Sequence, residues 1–216
     1  MNRREAALVE DLSRTVQRVL LDSIEHIDGN LDGDRAALAV EAARVPMAPA
    51  RLAAAHPAPA RAEARALYER CLAHYRTQVR AGQADAGLDD VGAAVAHFVA
   101  ANIRALHGVV VTPQMLLQLE RQLGGVVRVS SAWATASARE RQVYFEQMAI
   151  LAVLIGESAA QAVLQGPAAL ANVQRAARGY LKQLLGLNAD HLTLDDQGLA
   201  LRVSLEADDP EPAPQA

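Results

Sequence analysis

Apolar residues recur along this chain at steps of three and four, and almost every long segment between turn signals carries one such stripe. From Arg3 to Ile27 the stripe is Leu8, Leu12, Val16, Val19, Leu20, Ile24 and Ile27, with acids and arginines opposite, which predicts an amphipathic helix ending near Gly29. A second helix is expected from about Asp34 to Arg44, stopping before Pro46. Further stripes predict helices over Arg61 to Arg80 (Leu67, Tyr68, Cys71, Leu72, Tyr75, Val79) and from an Asp89 cap to His107 (Val91, Val95, Phe98, Asn102, Leu106). Thr112-Pro113 reads as an N-cap with proline at the first helical position, opening a helix through Leu116, Leu119 and Leu123 that ends, kinks or thins at Gly124-Gly125. Trp133 falls in the connection that follows and is expected to plug one end of the bundle.

One segment breaks the pattern. Ser137 to Gln165 opens with a capping box, Ser137 three residues before Glu140, and closes at Gly166-Pro167. Its stretch Met148 to Gly156 has no polar side chain on any face, and a helix apolar all round must be surrounded. This segment is therefore expected to be the central rod of an all-α bundle. Pro167 starts another helix through Leu170, Val173, Ala177, Leu181, Leu184 and Leu185, closed by Gly186. After it, Leu192-Thr193-Leu194, a turn ending in Gly198, and Leu199-Ala200-Leu201 predict a small β-hairpin, too short to stand alone.

The domain plan that follows is an N-terminal helical hairpin over 1–45, a linker over 46–61, a bundle over 62–205 with its hairpin at 192–201, and an acidic, proline-rich disordered tail over 206–216. The linker assignment rests on four prolines among alanines between Val45 and Arg61, with His56 in it read as a solvated side chain.

Composition refines this picture. Hydrophobic residues make up 51% of the 216 and aromatics 3%, so the core is built from Ala, Leu, Val and Ile in closely approaching helices. A net charge of −4 gives no case for nucleic acid or an anionic membrane. Lys182 is the only lysine, as expected of a GC-rich bacterial genome. The single Cys71 excludes an internal disulfide and a cysteine-based metal site, and its apolar stripe makes it an inert buried thiol. The N-terminus has no apolar signal region, and the longest uncharged apolar stretch, Gln147 to Gly156, spans about 15 Å, half a bilayer core. The expectation is a soluble cytoplasmic protein.

Candidate chemistry is sparse. Asp28 to Asp34 resembles the start of a calcium loop, but Ala39 stands where the bidentate Glu is needed, so a helix-capping turn is the better reading. Glu146 and Glu157 lie about 16 Å apart along one helix, too far for paired acid-base work. His97 and His107 diverge in azimuth and do not make a metal pair. Phosphate-loop, nucleophile-elbow, zinc-protease and dinucleotide motifs are all missing. Four polar residues on or near faces expected to be inside, Glu157, Asn102, Arg104 and His97, form the candidate ligand-binding set. No catalytic residue, metal ligand or cofactor is assigned.

The string Ala96-His97-Phe98-Val99-Ala100-Ala101-Asn102, the Leu106-His107-Gly108 that follows, the rod Tyr144 to Gly156, and the closing Leu-Gly-Leu and Leu-Thr-Leu resemble a family of uncharacterised bacterial proteins classed as a domain of unknown function. The resemblance covers roughly Ala64 to Leu201 and implies a helical fold without implying catalytic residues. Two functions remain. The favoured one is a non-enzymatic interaction or scaffold module that binds a partner, or a second copy, through its N-terminal amphipathic helix. The alternative is an enzyme or small-ligand binder with a polar pocket in the bundle.

Overall fold

The computed structural model describes residues 35–79 and 88–201. The N-terminal amphipathic helix, the calcium-loop-like string and the acidic tail expected from the sequence lie outside the described residues.

The helical bundle is present, and its centre is the expected one. Ala138–Gln165 forms a single helix, α6, whose N-cap Ser137 and Glu140 make the reciprocal capping box. Around it pack α2 (Arg61–His74), α3 (Val91–His107) and α7 (Pro167–Leu185), with α4 (Pro113–Val129) on the far side of α3. A short α5 (Ser131–Thr135) places Trp133 in the core, where its indole N–H donates to the Ala37 carbonyl. Gln142 to Gly156 of α6 contains no exposed residue. Enclosure of the apolar run thus holds. By length and composition α6 is also the one helix among the described residues that suffices to cross a membrane, but these neighbours cover its middle.

Three elements differ from the sequence expectation. Residues Arg35–Leu38 form a 3-10 turn and Ala39–Glu41 a strand, β1, in place of a helix to Arg44. β1 pairs antiparallel with β2 (Leu88–Asp90), burying Val40, and this long-range pairing overrides the local alanine-rich helix preference. As a result Asp90, not Asp89, caps α3, accepting from the Ala93 amide. The presumed linker is packed structure. Ala48–Ala53 forms a helix, α1, with Pro49 in its first turn, where the absent N–H costs nothing, and with Ala48 and Ala53 buried against α2 and α6. Nor is His56 simply solvated, since its Nε2 lies 2.9 Å from the Tyr68 hydroxyl. Finally, α4 runs straight through Gly124-Gly125. A Cβ on Gly92 would fall 3.1 Å from the Gly124 Cα, so these glycines let α3 and α4 approach backbone to backbone.

The C-terminal hairpin is as expected. β3 (Leu192–Asp195) pairs with β4 (Gly198–Leu201), and Gly198 takes φ +108° in the turn. Gln122 of α4 ties it down, accepting from the Leu199 amide at 2.7 Å.

Candidate functional site

The four candidate residues do not converge. His97 and Arg104, one face of α3 seven residues apart, line a partly open cleft of about 270 Å³ with Ala100, Val111, Leu116 and Val153. The His97 Nδ1 lies 2.8 Å from the Ala93 carbonyl of its own helix and 3.1 Å from the Tyr75 hydroxyl. Asn102 points the other way, fully buried. Its amide does not bridge helices to fix register, as buried amides often do. Nδ2 donates back to the Phe98 carbonyl at 2.7 Å and Oδ1 is left without a partner. Glu157 is exposed where α6 emerges from its neighbours. Among the described residues no cluster of His, Cys, Asp or Glu could hold a metal ion. Cys71 is buried, and burial pushes its thiol up against the pull of neighbouring Arg70, leaving little thiolate.

The polar centre of the molecule is a different set of residues. Glu146, fully buried in α6, accepts from the Met47 and Ala48 amides at 2.8 Å each, so a remote carboxylate caps α1, which has no side-chain cap of its own. Gln142, one turn earlier, donates to Glu146 Oε1 at 3.1 Å and to Asp89 Oδ2 at 3.3 Å. Asp89 is closed by Arg76 at 2.6 Å, and the guanidinium also stacks 5.7 Å over the Phe145 ring. A widened π-type turn at Tyr75–Val79 sets both Tyr75 and Arg76 toward α6. The chain Arg76–Asp89–Gln142–Glu146 joins α1, β2 and α6, elements far apart in sequence. Its groups are mutually satisfied apart from Gln142 Oε1, and this is the pattern of a structural clamp. The period of α6 gave no sign of it, because Gln142 and Glu146 lie in its second and third turns, ahead of the apolar run, and look like solvent-facing residues.

A second unanticipated feature lies at the other end of α6. α3 runs parallel to α6, since Asp89 ahead of α3 meets Gln142 while Arg104 shares the cleft with Val153. α7 returns antiparallel, with Tyr180 against Phe98 and Gln174 Nε2 donating to the Leu106 carbonyl at the end of α3. Everything in α7 before Gln174 therefore lies past α3, a projection of about 10 Å at 1.5 Å per residue. From Glu157 to Ala176, across both arms and the Gly166-Pro167 turn, Ala162 alone is buried. Val163 and Leu164 are 65% and 80% exposed, and Val110, in the α3–α4 connection at the same end, is 80% exposed.

Comparison with known proteins bears on which of these features belong to one unit. A family model described as "Family of unknown function (DUF6683)" matches residues 37–202. The chain belongs to this family. No curated protein and no solved structure matches it. The DUF6683 span begins well before Ala64, where the resemblance was expected to start, and takes in β1 and the clamped α1. That extent fits the clamp, because α1 is the element Glu146 holds. The DUF6683 span also includes the whole projecting hairpin, while the Arg3 to Ile27 segment falls outside it.

Proposed function

We propose that the chain is a non-enzymatic protein-interaction module whose contact surface is the projecting tip of the α6–α7 hairpin. The observation that carries this is a twenty-residue tip with one buried side chain, apolar Val163 and Leu164 on its outside, and charges only at Glu157 and Arg175. Exposed contiguous apolar surface of this kind marks an interaction site. The clamp at the opposite end serves rigidity, which presents such a tip in one orientation. The same reading takes the chain to be soluble and cytoplasmic, in keeping with the enclosure of α6 over its middle. The N-terminal stripe, Leu8 to Ile27, keeps its place as a further contact segment.

Site-specific photo-crosslinking in cells tests the reading. A photoreactive residue at position 164 is expected to give a discrete protein adduct, and one at Asp196, in the exposed turn of the β-hairpin, to give none. No adduct from 164 would defeat the proposal.

The cleft between α3 and α6 supports a second reading, a site for a small anionic amphiphile with its head on Arg104 and its body on the Val and Leu wall. At about 270 Å³ it falls just under the roughly 300 Å³ lower bound of ordinary ligand pockets, which ranks it second. Titration with octanoate, followed by backbone chemical shifts, should move α3 resonances in the parent and leave them unmoved in Arg104→Ala; silence in the parent removes this reading.

A further inference from the structure

We infer that the partner of the hairpin tip is a second copy of this chain, the two hairpins packing side by side about a two-fold axis into a four-helix arrangement. The inference rests on the tip being a contact surface, and it names the occupant.

Size is the first argument. The tip offers twenty residues, Glu157 to Ala176, nearly all with exposed surface. A side-by-side pairing covers one face of them, fewer than the roughly 20–30 residues a side of a standard interface, which fits a weak pairing seen at micromolar concentration. A symmetric pairing uses one patch twice, so every contact must be self-complementary. That condition is met electrostatically, because the outer part of the tip, residues 158–174, carries no charge and two copies meet without like-charge repulsion. Charge depletion is also what interface cores require.

Side-chain chemistry is the second argument. Both arms are built from Ala, Val, Leu and amides, with Ala159, Ala160 and Ala162 on one and Ala168, Ala169 and Ala171 on the other. Short side chains let helix axes approach closely, and the amides of Gln161 and Gln165 suit pairing with their own kind because each carries both donors and acceptors. The tip has no Trp, Tyr or Phe, and its single Arg, Arg175, is drawn back to Asn172 of its own helix at 3.2 Å. A partner whose surface offers pockets for aromatic or Arg anchors is therefore disfavoured. A lipid surface is likewise disfavoured, since the tip has neither an aromatic belt residue nor a basic face.

The test is the mass of the full chain in solution by light scattering across low to high micromolar concentration. The chain mass is 23.0 kDa, and the expectation is twice that value for the parent, falling to one chain for Leu164→Glu and for Val163→Glu. Val129→Glu, at an exposed apolar position on the opposite end of α4, should retain the dimer. Parent-like helical circular dichroism and a cooperative melt in the tip variants will show that loss of the dimer is not loss of the fold. A parent that is monomeric throughout overturns the inference, as does a dimer that survives both Leu164→Glu and Val163→Glu. If the monomeric parent crosslinks at 164 to other proteins, the interaction reading stands and the self-pairing fails. If the monomer instead floats with phosphatidylcholine–phosphatidylglycerol vesicles, the occupant is lipid and the inference is likewise overturned.

Discussion

The middle of α6 and its C-terminal end have nearly the same kind of sequence and opposite surroundings. Met148 to Gly156 and Ser158 to Gln165 are both made mainly of small and branched apolar residues, the second with a serine and two glutamines added. The first contains no exposed residue, while in the second, among the described residues, Ala162 alone is buried. Hydrophobicity along a helix therefore reports how much partner surface the helix requires, and it does not report whether the same chain supplies that surface. Among the described residues the stem is covered and the tip is not. A continuous helix links them, so any contact made by the tip is anchored to the core.

Substitutions along the stem and tip should sharpen that contrast. Ile150→Ala opens a cavity at a fully buried stem position, and a loss of about 4 kcal/mol is expected in urea unfolding. Glu146→Ala frees two amides from a charged acceptor and leaves Gln142 bonded only to Asp89. About 3 kcal/mol is expected, accompanied by faster amide exchange at Met47 and Ala48. Gly92→Ala pushes a methyl toward the Gly124 backbone, for about 2 kcal/mol, with Gly124→Ala milder because its nearest neighbour is the movable Leu38 methyl.

Smaller again is Tyr144→Phe. The buried hydroxyl has no partner, and burial pushes its ionisation well above the ordinary tyrosine value, with desolvation the cause. Folded and unfolded states both hold the proton below about pH 10, so little changes there. Above it the unfolded chain ionises and the folded one does not, so the parent should lose up to about 1.4 kcal/mol per pH unit relative to the phenylalanine variant. Last comes Leu164→Ala, which should shift monomer stability by less than about 0.5 kcal/mol. A Leu164→Ala loss comparable to that of Ile150→Ala would erase the distinction between stem and tip.

Much of the bundle was legible because its punctuation is local. Ser137 with Glu140, Thr112-Pro113, Gly108, Gly186 and Gly198 each fix a helix end or turn through groups within a few residues. The errors were all long-range. The strand Ala39–Glu41 exists only through its pairing with Leu88–Asp90, across a separation that no periodicity encodes. Helix α1 depends on a cap donated from α6, Glu146 being 98 residues beyond Ala48. Of the candidate residues, only the placement of some followed from spacing. His97 and Arg104 do share a cleft, because residues seven apart return to one face. Asn102 sits on the inward stripe where it was expected, yet its partner is its own helix. Exposure of the tip was hidden because Val163 and Leu164 look like any core pair, and only the end of α3 reveals that none of the described residues covers them.

Amide hydrogen exchange along α6, followed residue by residue on dilute protein, bears most directly on the division between stem and tip. Strong protection is expected from Val143 to Gly156 and rapid exchange from Ser158 to Gln165, as for a helix with few buried contacts. Uniform protection through to Gln165 at the lowest concentration would contradict the account, because it would mean the tip is already covered within a single chain.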